Sequence, residues 1–504
     1  MNNKIVVLLM LLFTAGIAYA AEDWNLGSTS TFIGVTATKA NVTDLYVSGN
    51  ITGLVANESY SYIIWTDGTN YYAKNGSTGK VDYSGTNAST VINAALSQLN
   101  GNRSIFFRSG IYNISAPLII NHSNILFSGE VTGWDSSLGG TRFNKTGNTN
   151  IIDVVGTSTN RIERIKFQNF NIDGNYVYTG NGINLSYVKY IFIDGVSILY
   201  QVGSALSVYS CYTCEVTNSL IALSGIDATT PAIYMRGDID NTNVEIDVHH
   251  NTIANNHYRD IQIMNGVDID IADNNIESYQ VVNHIYASTY TTISNNYMIG
   301  ANGSGILTDG GNDIKIINNY LELVKNSGIE TAGGYPVLID GNTIFSSVYY
   351  GIASHAKGSS VVNNVLFNNS GGIFIYGANE IIIGNKLYDN PGTAILVGKP
   401  YTVISGNTIF NSAGTITISG IEEYSLAANN RITGNMIQNV PYPTTKQNNS
   451  AIYNNFGAAP YNFGNNATAP AAFGAGDTYF NSTRGAQCLY TTSWVYIGNS
   501  TGVC

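Results

Sequence analysis

Residues 296–345 read NYMIGANGSGILTDGGNDIKIINNYLELVKNSGIETAGGYPVLIDGNTIF. One phrase occurs three times: Asn296-Tyr-Met, Asn319-Tyr-Leu and Asn342-Thr-Ile, an Asn, one free residue and an apolar one. It extends back to Asn274 and Asn251 and forward to Asn364, Asn385 and Asn407, in steps of 23, 22, 23, 23, 22, 21 and 22 residues. A second marker, an aliphatic that opens a strand, often after Gly, keeps time with it. That aliphatic falls at Ile183, Leu206, Ile233, Ile261, Ile285, Ile306, Ile329, Ile352, Ile373, Ile395 and Ile416. Its steps run from 21 to 24 residues apart from two of 27 and 28.

Within each period, short runs alternate apolar and polar residues and are punctuated by Gly and Asn, which is how strands read. A coil of this length with three short strands has no core of its own. Stacking the coils at about 4.8 Å buries one and pairs the backbone. Asn suits the turns because it tolerates left-handed φ and its side chain can bond the next turn. The pattern resembles right-handed parallel β-helices of the pectate-lyase-like type, and that resemblance implies an all-β solenoid over residues 81–440. Leucine-rich repeats have a similar period but need regular leucines, where this chain supplies Ile, Val and Asn.

Residues 81–128 strengthen the resemblance. Asn87 or Ser89 can cap a helix whose apolar stripe is Val91, Ile92, Ala95, Leu96 and Leu99. Ile105–Phe107, Gly110–Ile114 and Leu118–Ile120 then read as strands. This is similar to the opening segment of pectate-lyase-like and phage-tailspike β-helices, in which a helix plugs the end of the rod. The usual Asp-Asp before the helix is missing, and Ser109 stands where a Pro commonly precedes the Gly.

The chain of 504 residues carries 22 Lys and Arg against 33 Asp and Glu, a formal charge of −11. That balance argues against nucleic acid or an anionic membrane as partner. Charged residues at 11% exclude a coiled coil, and 44% hydrophobic residues exclude wholesale disorder. Residues 1–20 read as a secretory signal peptide: Lys4, the apolar run Ile5–Phe13, then Ala18-Tyr19-Ala20 as a cleavage site. The expected location is therefore secreted or cell-surface, with no membrane span once the signal is removed. Sixteen Asn-x-Ser/Thr sequons, among them Asn302, Asn368 and Asn481, are candidate glycosylation sites.

Flanking the repeat, residues 21–80 read as a β-rich attachment segment with strands at Val42–Val47, Ile51–Val55, Tyr60–Trp65 and Asn70–Ala73. Residues 441–475 read as a linker, and 476–504 as a small β module with strands at Tyr479-Phe480 and Trp494–Ile497. Both ends resemble the attachment and tip modules of viral and other surface fibres. Cys488 and Cys504 are a candidate disulfide for the last module. Cys211-Tyr-Thr-Cys214 lacks the βαβ context of a redox motif and reads as a structural bridge or as two buried thiols.

Side-chain alternation predicts which residues face out. Counted from each strand-opening aliphatic, positions −1, +1 and +3 should point outward, and 0 and +2 inward. The middle coils then present Tyr234, Arg236, Asp260, Gln262, His284, Tyr286, Asp309, Glu330 and His355 on one sheet. A polar and aromatic groove of this kind is where the resemblance places an extended sugar chain. Asp309 and Glu330, on adjacent coils and about 8 Å apart at Cα, suit hydrolysis. For elimination on a uronate, His284 or Tyr286 would be the base and Arg236 would neutralise the carboxylate. Tyr234, Asp260, Gln262 and His355 complete the substrate-binding set. No cofactor is certain; Ca²⁺ is the ion the resemblance implies, with Asp238/Asp240 and Asp268/Asp270/Asp273 as possible oxygen ligands.

Tyr350-Gly351-Ile352-Ala353-Ser354-His355 is similar to the Tyr-Gly-Phe/Ile-Asp-Pro-His segment of mannuronan C5-epimerases. That match implies His355 as base with Tyr350 and Gly351 as scaffold. Here Ala353 stands for the catalytic Asp, Ser354 for the Pro, and Gly377 near the expected Arg. The frame is kept and the chemistry is not. Arg164-Ile165-Lys166 matches the substrate-binding tripeptide of polygalacturonases but lacks their paired-Asp and Gly-His-Gly motifs, and reads as chance. The expected function is binding of an extracellular polysaccharide or surface glycan, with cleavage by lyase or hydrolase chemistry as an added capability. The alternative is a structural or adhesive surface protein or a virus-derived fibre. Monomer and homotrimer are both compatible with the rod.

Overall fold

The computed structural model describes residues 59–453 with short breaks (101–102, 131–138, 238–244, 289, 334, 413–418, 425, 441–443 and 446–449), then residue 455 and three strands between 478 and 496. Residues 1–20, the Val42–Val47 and Ile51–Val55 strands, Asp238, Asp240 and Cys504 lie outside the described residues.

Three parallel sheets run the length of the rod. The first begins at Leu118–Ile120 and reaches Ile421–Glu423 and Thr444–Thr445; the second runs from Arg103–Phe107 to Ala451–Tyr453; the third runs from Gly110–Ile114 to Met436–Gln438. Each strand pairs with the strand one coil on, so equivalent repeat positions lie on top of one another. In the first sheet Leu118, Ile152, Ile183, Leu206, Ile233, Ile261, Ile285, Ile306, Ile329, Ile352, Ile373, Ile395 and Ile421 form one column. Every member is fully buried. The right-handed parallel β-helix expected from the repeat is the observed fold. One register assignment is corrected: Ile395 pairs with Ile421, where the Gly-Ile signature resumes at Gly420-Ile421, and Ile416 lies outside the described residues.

The recurrent Asn forms a second column, and its chemistry is visible. The backbone N–H and Nδ2 of Asn319 both donate to Oδ1 of Asn342, at 2.9 and 3.0 Å, while its Nδ2 also donates to the Ile293 carbonyl at 2.8 Å. The same bonds link Asn251, Asn274, Asn296, Asn319, Asn342, Asn364, Asn385, Asn407, Asn435 and Asn455. These Asn side chains are buried up to Asn435. The left-handed φ expected of them belongs instead to the residue before, such as Asn318 (φ 55°) or Gly341 (φ 68°). The turn residue supplies the bend, and the Asn after it satisfies the corner.

At the N-terminal end a helix, α1 (Ala88–Leu96), is capped by Asn87, whose side chain accepts from the Thr90 N–H at 3.0 Å. Its buried face of Ala88, Val91, Ile92, Ala95 and Leu96 packs against Leu118–Ile120 and Gly110–Ile114, the first strands of two sheets. A cluster of Phe107, Phe127, Phe143, Phe167 and Phe170 fills the first coils behind it. Tyr62–Thr66 and Tyr71–Asn75 form an antiparallel pair, and the first of them joins the second sheet beside Arg103–Phe107. Cys211 and Cys214 are disulfide-bonded inside the rod, which selects the bridge over free thiols. Near the C-terminus, Thr478–Asn481, Ala486–Tyr490 and Trp494–Tyr496 make a separate antiparallel sheet.

Replacing Asn319 by Ala strands the donors of Asn296 above it and the carbonyl of Ile293. Roughly 1–3 kcal/mol is lost for each buried group left unpaired. Asn302→Ala, on an exposed corner of the same coil, should change stability by less than about 0.5 kcal/mol. Urea denaturation of the two variants checks this; equal midpoints would remove the Asn column as a source of stability.

Candidate functional site

The outward face of the first sheet carries a run of polar and aromatic side chains. Position +1 carries Tyr234, Gln262, Tyr286, Leu307, Glu330, Ala353, Phe374, Leu396 and Glu422 on successive coils. Position +3 carries Arg236, Met264, Asp309 and Ala332. Tyr234, Arg236, Tyr286, Asp309 and Glu330 therefore share one face, as the alternation predicts, and all are at least partly exposed. Gln262 shares the face too but is almost covered, at 9% exposure.

Asp260 and His284 do not. Position −1 was expected to face outward, yet both side chains are completely buried. The reason is visible in the coils that follow, where position −1 is glycine. A Cβ on Gly328 would lie 2.4 Å from the buried Ile344 side chain, and one on Gly351 would lie 2.3 Å from that of Leu366. The chain turns a corner here, so −1 and 0 both point inward. At this corner His284 Nδ1 meets Asp260 Oδ2 at 2.7 Å, while Asp260 Oδ1 accepts from Asn256 Nδ2 and Ser278 Oγ, each at 2.7 Å. A histidine enclosed in this way does not reach a sugar lying on the outer face, so it is withdrawn as the base.

Tyr286 is on the face, but as a donor. Its hydroxyl bonds Asp309 Oδ2 at 3.1 Å, and burial, with the neighbouring Asp309 charge, pushes its pKa above the usual phenol range. That keeps the proton on Tyr286 and makes it a poor base. Arg259, which the outward rule passed over, lies across it: the guanidinium is 4.2 Å from the Tyr286 ring centre and 4.8 Å from that of Tyr258, and Nη1 donates to Gln262 Oε1 at 2.7 Å. Glu330 accepts from Ser304 Oγ and from Asn326 Nδ2, on the N-terminal side of the strand. Asp309 accepts from Tyr286, on the coil before its own. The two carboxylates sit on one face of adjacent coils, each engaged by a hydrogen-bond donor of the protein.

Further along, the face becomes aromatic. Tyr350 stacks on Phe374 at 5.1 Å, and His355 lies 5.7 Å from both Phe374 and Tyr376. Lys399 Nζ sits 4.5 Å over the Tyr376 ring. His355 and Tyr376 are exposed. Phe374 and Tyr376 occupy +1 and +3 of their coil, so the same counting that found Tyr286 reaches them. Ser354, in the epimerase-like segment, turns inward and bonds the buried Glu380 at 3.1 and 3.2 Å. Desolvation pushes the Glu380 pKa up to about 9, so this carboxyl is neutral at pH 7. Gly377 has no room for the Arg of that motif, since even a Cβ would fall 2.0 Å from the Ala356 carbonyl.

Asp270 belongs to the second sheet, in register with Asp247; burial and acidic neighbours raise both pKa values. No group of three or more His, Cys, Asp or Glu among the described residues is placed to hold a metal ion.

The sequence matches the family described as "Right handed beta helix region" over residues 226–367, and "Periplasmic copper-binding protein (NosD)" over residues 323–500. Among solved structures, the chain is similar to bacteriophage CBA120 tailspike protein 3, with TM-score 0.50 and 14% identity over 82% of this chain and 67% of that one. It also resembles the A-module of a mannuronan C-5 epimerase from Azotobacter vinelandii, with TM-score 0.43 and 16% identity over 74% and 94%. A DFA-IIIase from Arthrobacter chlorophenolicus A6 gives TM-score 0.39 and 15% identity over 69% and 90%. No curated protein matches the sequence. Fold and matches together make this a right-handed parallel β-helix protein. Copper does not fit the residues present: within 323–500 the soft or imidazole donors are His355, Met436 and Cys488. His355 stands among aromatic rings by the first sheet, while Met436 is on the third.

Glu380 binds its proton in the native state up to about pH 9, whereas an unfolded Glu releases it near 4.5. Between those values the native state holds the extra proton, so stability falls as pH rises. Glu380→Gln should abolish that slope and be the more stable protein at pH 8 by a few kcal/mol. Thermal melts of both proteins from pH 5 to 9 test it; parallel curves would show that Glu380 is ionised in the fold.

Proposed function

We propose that the protein binds an extended extracellular polysaccharide along the outward face of its first sheet, between the coils of Ile233 and Ile421. One observation carries the reading: aromatic and hydrogen-bonding side chains, Tyr234, Tyr286, Glu330, Tyr350 and Phe374, recur on one face across the coils from Ile233 to Ile373. Aromatic faces suit the apolar faces of sugar rings, and flanking Arg, Asp and Glu suit their hydroxyls. A linear polymer matches a linear strip better than a small molecule does, since most small-ligand sites are enclosed. The signal-peptide reading and the Cys211–Cys214 bridge both support an oxidising, extracytoplasmic location.

Hydrolysis is the second reading. Asp309 and Glu330 favour it by lying on one face of adjacent coils, with Cα atoms about 8 Å apart. Their engagement in protein hydrogen bonds favours binding over chemistry, and the rod then acts as a receptor for sugar.

Tyr350→Ala and Phe374→Ala should each weaken glycan binding several-fold with the fold intact, as read by affinity electrophoresis on the best ligand from a glycan array. A wild-type protein that binds no glycan on the array removes this reading and leaves the structural rod. If the wild type releases reducing ends from that ligand, Asp309→Asn and Glu330→Gln should each stop the release while binding persists. Unsaturated uronate products in place of reducing ends from hydrolysis would point away from the carboxylate pair.

A further inference from the structure

Two arginines on the first sheet stand without an acid. Neither Arg236 nor Arg259 forms a carboxylate ion pair among the described residues, although the chain has a formal charge of −11. In both, Nε is buried with no hydrogen-bond partner. Arg259 is the better defined. Its guanidinium is held between the Tyr258 and Tyr286 rings and fixed by Gln262 Oε1. Its register partner on the next coil is Asn283, a side chain 2% exposed whose Oδ1 is likewise buried without a partner. The acids nearest in sequence and register are already engaged: Asp260 by His284, Asn256 and Ser278, and Asp309 by Tyr286.

We propose that Arg259 is the core of an anion subsite that takes a carboxylate or sulfate group of a polysaccharide, which makes the bound polymer an acidic one. The inference rests on the polysaccharide reading above and adds the charge of the sugar. A guanidinium already oriented by two rings and one amide loses little freedom on binding, and its planar fork offers paired charge-assisted hydrogen bonds to an oxyanion. The carboxylate of Asp309, one coil beyond Tyr286, repels a second anion and confines the charged group to the Arg259 side.

The test compares wild type, Arg259→Gln and Arg259→Lys by calorimetric titration. The probes are hexagalacturonate, its methyl ester, a sulfated hexasaccharide of chondroitin and neutral cellohexaose, with circular dichroism as the check on folding. The wild type should bind one anionic hexamer at least tenfold more tightly than the neutral ones, and that preference should fall as salt is raised. Arg259→Gln should lose the preference, its affinity for the anionic hexamer falling at least tenfold and that for neutral hexamers by clearly less, and Arg259→Lys should keep part of it. Preference for hexagalacturonate over its ester assigns a carboxylate, and preference for the chondroitin hexamer assigns a sulfate. Equal wild-type affinity for charged and neutral hexamers overturns the anion subsite and leaves the polysaccharide reading in place, as does an equal loss of both in Arg259→Gln. Absence of any oligosaccharide binding, with inorganic sulfate still raising the melting temperature of wild type but not of Arg259→Gln, removes the polysaccharide reading and keeps the subsite.

Discussion

Everything in this molecule depends on the backbone ladder between successive coils. Parallel strands are held about 4.8 Å apart, so a side chain is set directly above the one at the same repeat position in the previous coil. Burial is therefore decided by column. Thirteen aliphatic residues stack in the first-sheet column from Leu118 to Ile421, and all are excluded from water. The Asn column works by the same rule in polar form, because each amide finds its acceptor in the next amide and its second partner in the coil before. A polar group entering an interior column must find its partner within its coil or one coil away, or remain unpaired. Glu380 does so through Ser354, and Glu423 through Asn430 and Ser450.

Because the columns follow from the period, most of the architecture could be read before any coordinates. The steps of 21–23 residues from Ile285 to Ile395 carry no insertion, and counting from them put Tyr286, Asp309 and Glu330 on the right face. The helix stripe was equally legible, since a 3.6-residue period of Val91, Ile92, Ala95 and Leu96 has one meaning in any fold. What failed was local. Simple alternation holds within a strand but not at a corner, and position −1 is at a corner; this cost Asp260 and His284 their place on the surface. The run of glycines at Gly305, Gly328, Gly351 and Gly372 was the signal, because a column that accepts only glycine faces something it must not touch. Ile416 failed for another reason: a changed loop length moves the phase, and only the Gly-Ile pair at Gly420-Ile421 marks where it resumes. Arg259 and Glu380 lie at strand edges, where no period assigns a direction.

The corner of Asp260 and His284 is the one place between Ile261 and Ile373 where the −1 column gives up glycine for ionisable side chains. Removing such a pair from water is costly, and hydrophobic replacement of a buried pair often costs nothing or stabilises. Asp260 recovers that cost through three short hydrogen bonds, two of them from Asn256 and Ser278 at the ends of successive third-sheet strands. The result ties those strand ends to the start of two adjacent first-sheet strands. Arg259 and Asn283, the residues immediately before Asp260 and His284, are thereby fixed in direction. The buried pair thus lies directly beside the partly exposed Arg259 and the buried Asn283, which are in register with each other.

A rod also constrains what kind of recognition its surface can provide. An enclosed pocket gains affinity by surrounding a ligand, whereas the outer face of a sheet meets it from one side and must gain by length. Each coil adds one row to the strip, and the ladder holds those rows at a fixed spacing, so little ordering remains to be done when a polymer binds. Side chains along the strip are in turn fixed by neighbours one row away: Tyr286 by Asp309 and Arg259, and Phe374 by Tyr350. The strip changes character along the rod, with arginine on the coils of Ile233 and Ile261, carboxylates on those of Ile306 and Ile329, and rings on those of Ile352 and Ile373. Because the two ends of the strip differ, the two directions in which a linear polymer could lie on it are not equivalent.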